Sequence, residues 1–133
     1  MKLTYKINKP SEVIFNFLTD MQKFASVHPV ITQIDNLGGN NYLVHETLKL
    51  GVIPFSFTYP VTIEDNAAEQ LVVMRATVMR FTKIEIYFII KSVNGSSIIE
   101  ETIHFNSPLL SPVLQHIFRK QHNKLFKNIA DFN

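Results

Sequence analysis

The chain has 133 residues, 46% of them apolar, with 11 Phe, no Trp and no Cys, and a formal charge of +2 from 13 basic and 11 acidic side chains. That length suits one domain spanning residues 1–133 with a sizeable core, and so small a charge does not point to nucleic acid. Without Cys there are no disulfides, thiolate metal sites or Cys nucleophile; the first residues lack the apolar run of a signal peptide, and no segment approaches the roughly 18 apolar residues of a membrane span, so the expectation is a cytoplasmic globular protein.

Leu3, Tyr5 and Ile7 alternate with Lys2, Thr4, Lys6 and Asn8, the period-2 pattern of a half-buried strand. Pro10 suits a first helical turn and Glu12 complements the helix dipole; Val13, Ile14, Phe17, Leu18 and Met21 then form an apolar stripe. A second short helix, Asp20 to Val27, stops at His28-Pro29 because the residue before proline is pushed out of the α region. From Val30 to Asn106 period 2 returns, which predicts a meander of about six antiparallel strands. Turns fall at Gly38-Gly39-Asn40-Asn41, Gly51 to Pro54, Asp65 to Glu69 and the tight-hairpin dipeptide Asn94-Gly95.

Alternation assigns an inner face to five of the strands: Tyr42, Val44, Glu46, Leu48 and Leu50; Phe55, Phe57, Tyr59, Val61 and Ile63; Val72, Met74, Ala76 and Val78; Ile84, Ile86, Phe88 and Ile90; Ile99, Glu101, Ile103 and Phe105. Pro60 cannot donate to a ladder and signals a bulge, a bend or an edge. The last stretch, Ser107 to Asn133, reads as one long amphipathic helix. Leu114, Ile117, Phe118, Gln121, Leu125, Ile129 and Phe132 share a face at 3.6-residue spacing, opposite His116, Arg119, Lys120, Asn123 and Lys127.

Glu46 and Glu101 interrupt otherwise apolar inner faces. A carboxylate desolvated there has a raised pKa and can act as acid or base, or hold a ligand hydroxyl; turned to solvent, or paired with Arg75 or Arg80, it is structural. Tyr59 and Tyr42 can donate to a ligand carbonyl or simply fill the core, and Gln121 can orient a polar group or bond to a strand carbonyl. The five histidines do not form a metal site by spacing: His116 and His122 point about 120° apart on a helix, and His28, His45 and His104 lie in separate elements. With no nucleophile motif, phosphate-binding glycine loop or nucleotide fingerprint, no metal and no cofactor is expected. Arg119, Lys120, Lys124 and Lys127 allow transient contact with an anionic membrane surface, and base stacking has only Phe126 nearby, so no nucleic-acid partner is expected.

The order strand, two short helices, meander, long helix resembles the helix-grip fold of the START-like superfamily, also called SRPBCC, which includes birch-pollen-allergen-like and polyketide cyclase-like proteins. The residues that carry it are Asn8-Lys9-Pro10-Ser11-Glu12-Val13-Ile14-Phe15 with Leu18 and Asp20, then His28-Pro29-Val30. Two departures stand out: no Trp near Ser26 to His28, and Pro60 within a strand. The resemblance implies an α+β fold in which a curved antiparallel sheet of about seven strands wraps the C-terminal helix around a cavity for a lipid, isoprenoid, sterol or polyketide.

Three functions follow. The first is binding or carriage of an apolar ligand lined by Tyr42, Phe55, Phe57, Tyr59, Met74, Phe88, Ile103, Phe118, Gln121 and Leu125. The second is a cyclase, isomerase or dehydratase with Glu46 or Glu101 as base and Tyr59 polarising a carbonyl. The third is an interaction domain with a filled cavity, a homodimer through Leu71, Val73, Tyr87 and Ile89, which a monomer in solution would weaken; the expected state is monomer or homodimer.

Overall fold

The structure, a computed structural model, describes residues 1–109 and 111–133, Leu50 by its backbone. The elements run β1 (Lys2–Ile7), α1 (Ser11–Thr19), α2 (Met21–Val27), β2 (Ile31–Gly38), β3 (Asn41–Leu50), β4 (Ile53–Asn66), β5 (Leu71–Val78), β6 (Thr82–Val93), β7 (Ser96–Asn106) and α3 (Ser111–Asp131). All seven strands form one antiparallel sheet in the order β1-β7-β6-β5-β4-β3-β2. After β1 the chain crosses through α1 and α2 to the far edge and then walks back by hairpins until β7 pairs with β1. This is the helix-grip architecture, an α+β fold with α3 laid against the sheet.

The strand phases follow the alternation in the sequence. Cross-strand partners share a face, and the register joins Ile63, Met74, Ile86 and Ile103 in one row and Val72, Phe88 and Glu101 in another. Burial makes this the inner face. Pro60 sits at a local edge. Ile63 N donates to Asn40 O at 3.0 Å, so the odd positions of β4 donate toward β3 and Pro60 faces the β5 side, where pairing begins only at Val61. The missing N–H therefore costs no ladder bond. Beyond that point β4 pairs with β3 alone, and the sheet is open between the β3–β4 hairpin and the end of β5.

The helices differ from the sequence reading in detail. Pro10 precedes α1 as its N-terminal cap residue, with extended backbone, and does not open the first turn. Asp20 ends α1 and caps α2, its carboxylate accepting from Gln22 N at 3.0 Å and Lys23 N at 3.2 Å. Asn128 Nδ2 donates to Val27 O at 2.7 Å and pins α3 to the end of α2.

Helix α3 starts at Ser111, four residues after the expected Ser107, and its buried residues are Leu114, His122, Leu125, Phe126 and Ile129. On a 3.6-residue wheel that face is turned by about 60° from the apolar stripe centred on Leu114, because the stripe omitted His122 and Phe126. Phe126, expected as an exposed aromatic, is 2% exposed and stacks on Tyr5 with ring centroids 4.2 Å apart. Phe132 lies past the helix end and touches Phe17 edge-on.

Leu125 is fully buried, so Leu125→Ala should destabilise the fold by about 2–5 kcal/mol. Val52→Ala, at a position 94% exposed, should stay within about 0.5 kcal/mol of the parent in the same urea titration.

Candidate functional site

The site is built around a carboxylate that the sheet register forces inward. Glu101 of β7 lies between Leu3 of β1 and Phe88 of β6 and is 1% exposed. A bare carboxylate there would cost several kcal/mol. It is met from α3 by His122, itself 3% exposed, whose Nδ1 bonds Glu101 Oε2, while the Tyr5 hydroxyl donates to Oε1 at 3.4 Å. Burial, and then the charge of Glu101, push the Tyr5 hydroxyl pKa well above its ordinary value. With Nδ1–H given to the carboxylate, the imidazole presents Nε2 to whatever lies on its other side.

What lies there is a cavity of about 320 Å³ between α3, the inner sheet face and the end of α2. Its walls are mainly apolar and include Met74, Ile84, Ile86 and Phe118. Four polar groups gather near His122: Glu46 and Tyr59 from β3 and β4, His28 after α2, and Gln121 of α3. Phe118 and His28 stand edge-on to the His122 ring at 5.4 and 6.2 Å, and Phe88 stacks behind it at 6.3 Å.

Glu46 pairs with Phe57 in the β3–β4 register, which places Tyr59, two residues on, diagonally beside it. Burial raises the Glu46 carboxyl from an ordinary 4.5 to about 7, against the opposing pull of the Tyr59 hydroxyl and of His122. The same burial, together with Glu46, raises the Tyr59 hydroxyl above its ordinary range. His28 Nδ1 accepts from Val30 N and Ile31 N, both at 3.3 Å, so its proton sits on Nε2. Burial and the neighbouring His122 lower the His28 pKa to about 3.

Of the residues expected to line a pocket, Phe57, Tyr59, Met74, Phe118 and Gln121 face this cavity, as does Glu46. The others do not. Phe88, Ile103 and Leu125, at 0%, 1% and 0% exposed, are packed solidly behind the wall, since a central strand or helix position buries its side chain among neighbours before any reaches the void. Phe55, 42% exposed, lies on the free end of the β3–β4 hairpin against Phe57. Tyr42 borders a separate open depression of about 810 Å³, whose Arg75 is already held by Glu64 at 3.2 Å and Glu85 at 2.8 Å. Neither inner glutamate turns to solvent or to an arginine. Glu101 stands behind His122 and does not itself line the cavity, which is open, not filled.

Sequence reasoning missed His28 and His122. A signal for His122 existed: an inward Glu101 requires a donor, and His122 adjoins Gln121 on the helix stripe. Among the described residues no three His, Asp or Glu side chains form a metal-ligating cluster.

A curved antiparallel sheet gripping a C-terminal helix over an apolar cavity defines a START-like protein. Solved structures agree in fold. The chain is similar to Ara h 8.0201, at 17% identity and a TM-score of 0.79, with 99% of this chain and 95% of that one covered. It is similar to a START superfamily protein from Mycobacterium smegmatis, at 15% identity and 0.78, covering 98% and 93%. The di-domain ARO/CYC protein StfQ of the steffimycin biosynthetic pathway matches at 8% identity and 0.80, covering 98% of this chain and 44% of that one. No curated protein matches. A family model matches residues 4–131, and the chain belongs to the family of the carbon monoxide dehydrogenase subunit CoxG.

Glu46 and His28 make stability depend on pH in opposite directions. Glu46 binds its proton more tightly in the folded state, so its contribution weakens as pH rises from about 4.5 to about 7. His28 binds its proton less tightly when folded, so its contribution is lost as pH falls from about 6.5 to about 3. Urea midpoints measured across pH should show Glu46→Gln more stable than the parent near pH 8, by at most about 3 kcal/mol, with the gain gone below about pH 4.5. His28→Gln should flatten the acid side.

Proposed function

We propose that the protein binds an apolar small molecule, of lipid, isoprenoid or polyketide type, in the cavity between α3 and the sheet. The observation that carries this reading is a partly open cavity with apolar walls whose polar groups, Glu46, Tyr59, His28 and His122, converge at one place. Burial of the ligand's apolar body would supply affinity at about 25 cal/mol per Å² before association costs, while that cluster fixes a polar head. The volume of about 320 Å³ equals that of roughly ten water molecules, which suits a compact ligand or the leading part of a longer one.

Ligand entry is supported by the exposed apolar side chains that border the cavity, Met79 at 50%, Phe81 at 71% and Leu109 at 59%. They lie on the β5–β6 loop and the approach to α3, at the opening where β4 leaves β5. Residues 47–57, 77–84 and 105–116 hold Lys49, Arg80 and Lys83 and no acidic side chain. An apolar rim borne by segments that carry these cations favours brief contact with an anionic lipid surface, from which such a ligand is taken or to which it is returned. The family's name makes a carbon monoxide dehydrogenase a candidate neighbour in this traffic.

The test is saturable binding of the neutral probe N-phenyl-1-naphthylamine at one site per chain. Ala76→Trp, which places an indole in the cavity wall, should weaken binding at least tenfold with an unchanged circular dichroism spectrum. Phe55→Ala should leave it within twofold. An absence of saturable binding by the parent protein, or full affinity in Ala76→Trp, would refute the reading.

A further inference from the structure

We propose that this cavity also moves protons: His122, oriented by Glu101, removes the C–H proton next to the carbonyl of a bound apolar ketone, while Glu46 and Tyr59 donate hydrogen bonds to its oxygen. The proposal rests on the binding reading above and adds a reaction to it. Its geometric basis is asymmetry in the polar groups. Glu101 is satisfied on both oxygens, by His122 Nδ1 and by the Tyr5 hydroxyl, and is sealed behind the ring. No hydrogen-bond partner meets His122 Nε2 among the described residues. It is not among their sealed and unpaired side-chain atoms either, of which Gln70 Oε1 is the example. An imidazole held by a buried carboxylate, with its other nitrogen bare toward an apolar cavity, is a positioned base.

A base needs a partner for the charge that develops on oxygen. Glu46 and Tyr59 face the same cavity from adjacent strands, and both are disfavoured as anions by their burial. A neutral carboxyl and a phenol are two donors that stabilise an enolate without carrying charge into the site. The electron count closes. The Nε2 lone pair takes the α proton, the C–H pair becomes the C=C bond of the enolate, and the carbonyl π pair moves onto oxygen between the two donors. The imidazolium then returns its proton to the same carbon, or to the γ carbon of a β,γ-unsaturated ketone, which yields the conjugated isomer. No atom is lost, and no oxidant or further reactant enters. In this scheme His122, Glu46 and Tyr59 are the catalytic residues and Glu101 is a positioning residue.

The probe is 2-tetralone, an apolar ketone with acidic α protons. Its exchange into D2O is followed by NMR, and its binding by displacement of N-phenyl-1-naphthylamine. The expected result is displacement together with α exchange at least a hundredfold faster than with the same concentration of 4-methylimidazole. His122→Gln and Glu46→Leu should each lose at least tenfold in exchange, measured at saturating 2-tetralone so that any loss of affinity, read by displacement, is separated from the proton transfer. Glu101→Gln should slow exchange at saturating 2-tetralone at least tenfold and keep displacement within twofold, because Glu101 stands behind the ring and not in the cavity. A merely structural Glu101 would lose displacement along with exchange, which would remove its role in the scheme. Should His122→Gln fail to fold, Tyr59→Phe carries the test from the oxygen side: tenfold slower exchange supports the proposal and undiminished exchange overturns it. Displacement without exchange above the imidazole control, or no displacement by 2-tetralone, overturns the proton transfer and leaves the binding reading intact, while an absence of saturable N-phenyl-1-naphthylamine binding removes both.

Discussion

A carboxylate buried as deeply as Glu101 stays in a fold only beside a donor, and that requirement ties the two layers of this protein together. The donor comes from α3, which must present His122 to the centre of the sheet. Meeting that demand sets the roll of the helix. It brings Phe126 down onto Tyr5 and Leu125 and Ile129 into the core, and it leaves Ile117 and Gln121 at the cavity margin. Removing one member of such a pair is far more damaging than replacing both by apolar groups, because it strands the other without a partner. The pair is therefore a specification of how α3 docks more than a source of net stability.

The cavity follows from the same docking and from the way the sheet ends. Pairing between β4 and β5 stops at Val61, so the hairpin of β3 and β4 projects beyond its neighbour and the sheet does not close over the first half of α3. A helix held near its middle by His122 and near its far end by Asn128 leaves space at its beginning, where Met79, Phe81 and Leu109 border the void. The arrangement gives the cavity an apolar entrance and a polar interior. Glu46 and His28 pay for that polarity with pKa values displaced in opposite directions, both disfavouring charge.

The period-2 alternation made the inner faces of β3 to β7 legible, including the inward direction of both glutamates, and the order of elements made the helix-grip fold legible as well, whereas β2, with a register shift between Ile31 and Gln33, buries Ile31 and Ile34 out of that period. These are local or near-local properties. A strand's pleat fixes which side chains share a face, and hairpin turns such as Asn94-Gly95 fix which strands are neighbours. The long helix was legible in extent but not in roll. A hydrophobic stripe treats histidine as polar, and the stripe therefore drifted about 60° away from the face that His122 and Phe126 define.

The sequence by itself determined the fold class, the two inward carboxylates and the aromatic character of the wall. The tertiary structure decided which inward residues meet a cavity and which are lost in the core: Phe57 and Tyr59 border open space, while Phe88, Ile103 and Leu125 do not. It also decided that Glu101 faces His122 and that His28 and Glu46 stand near that ring, an assembly of four residues from separate elements. The reason is physical. Face is set by backbone period within one element, whereas a void and the groups around it are set by the distance and roll between elements, which depend on every packed side chain between them at once.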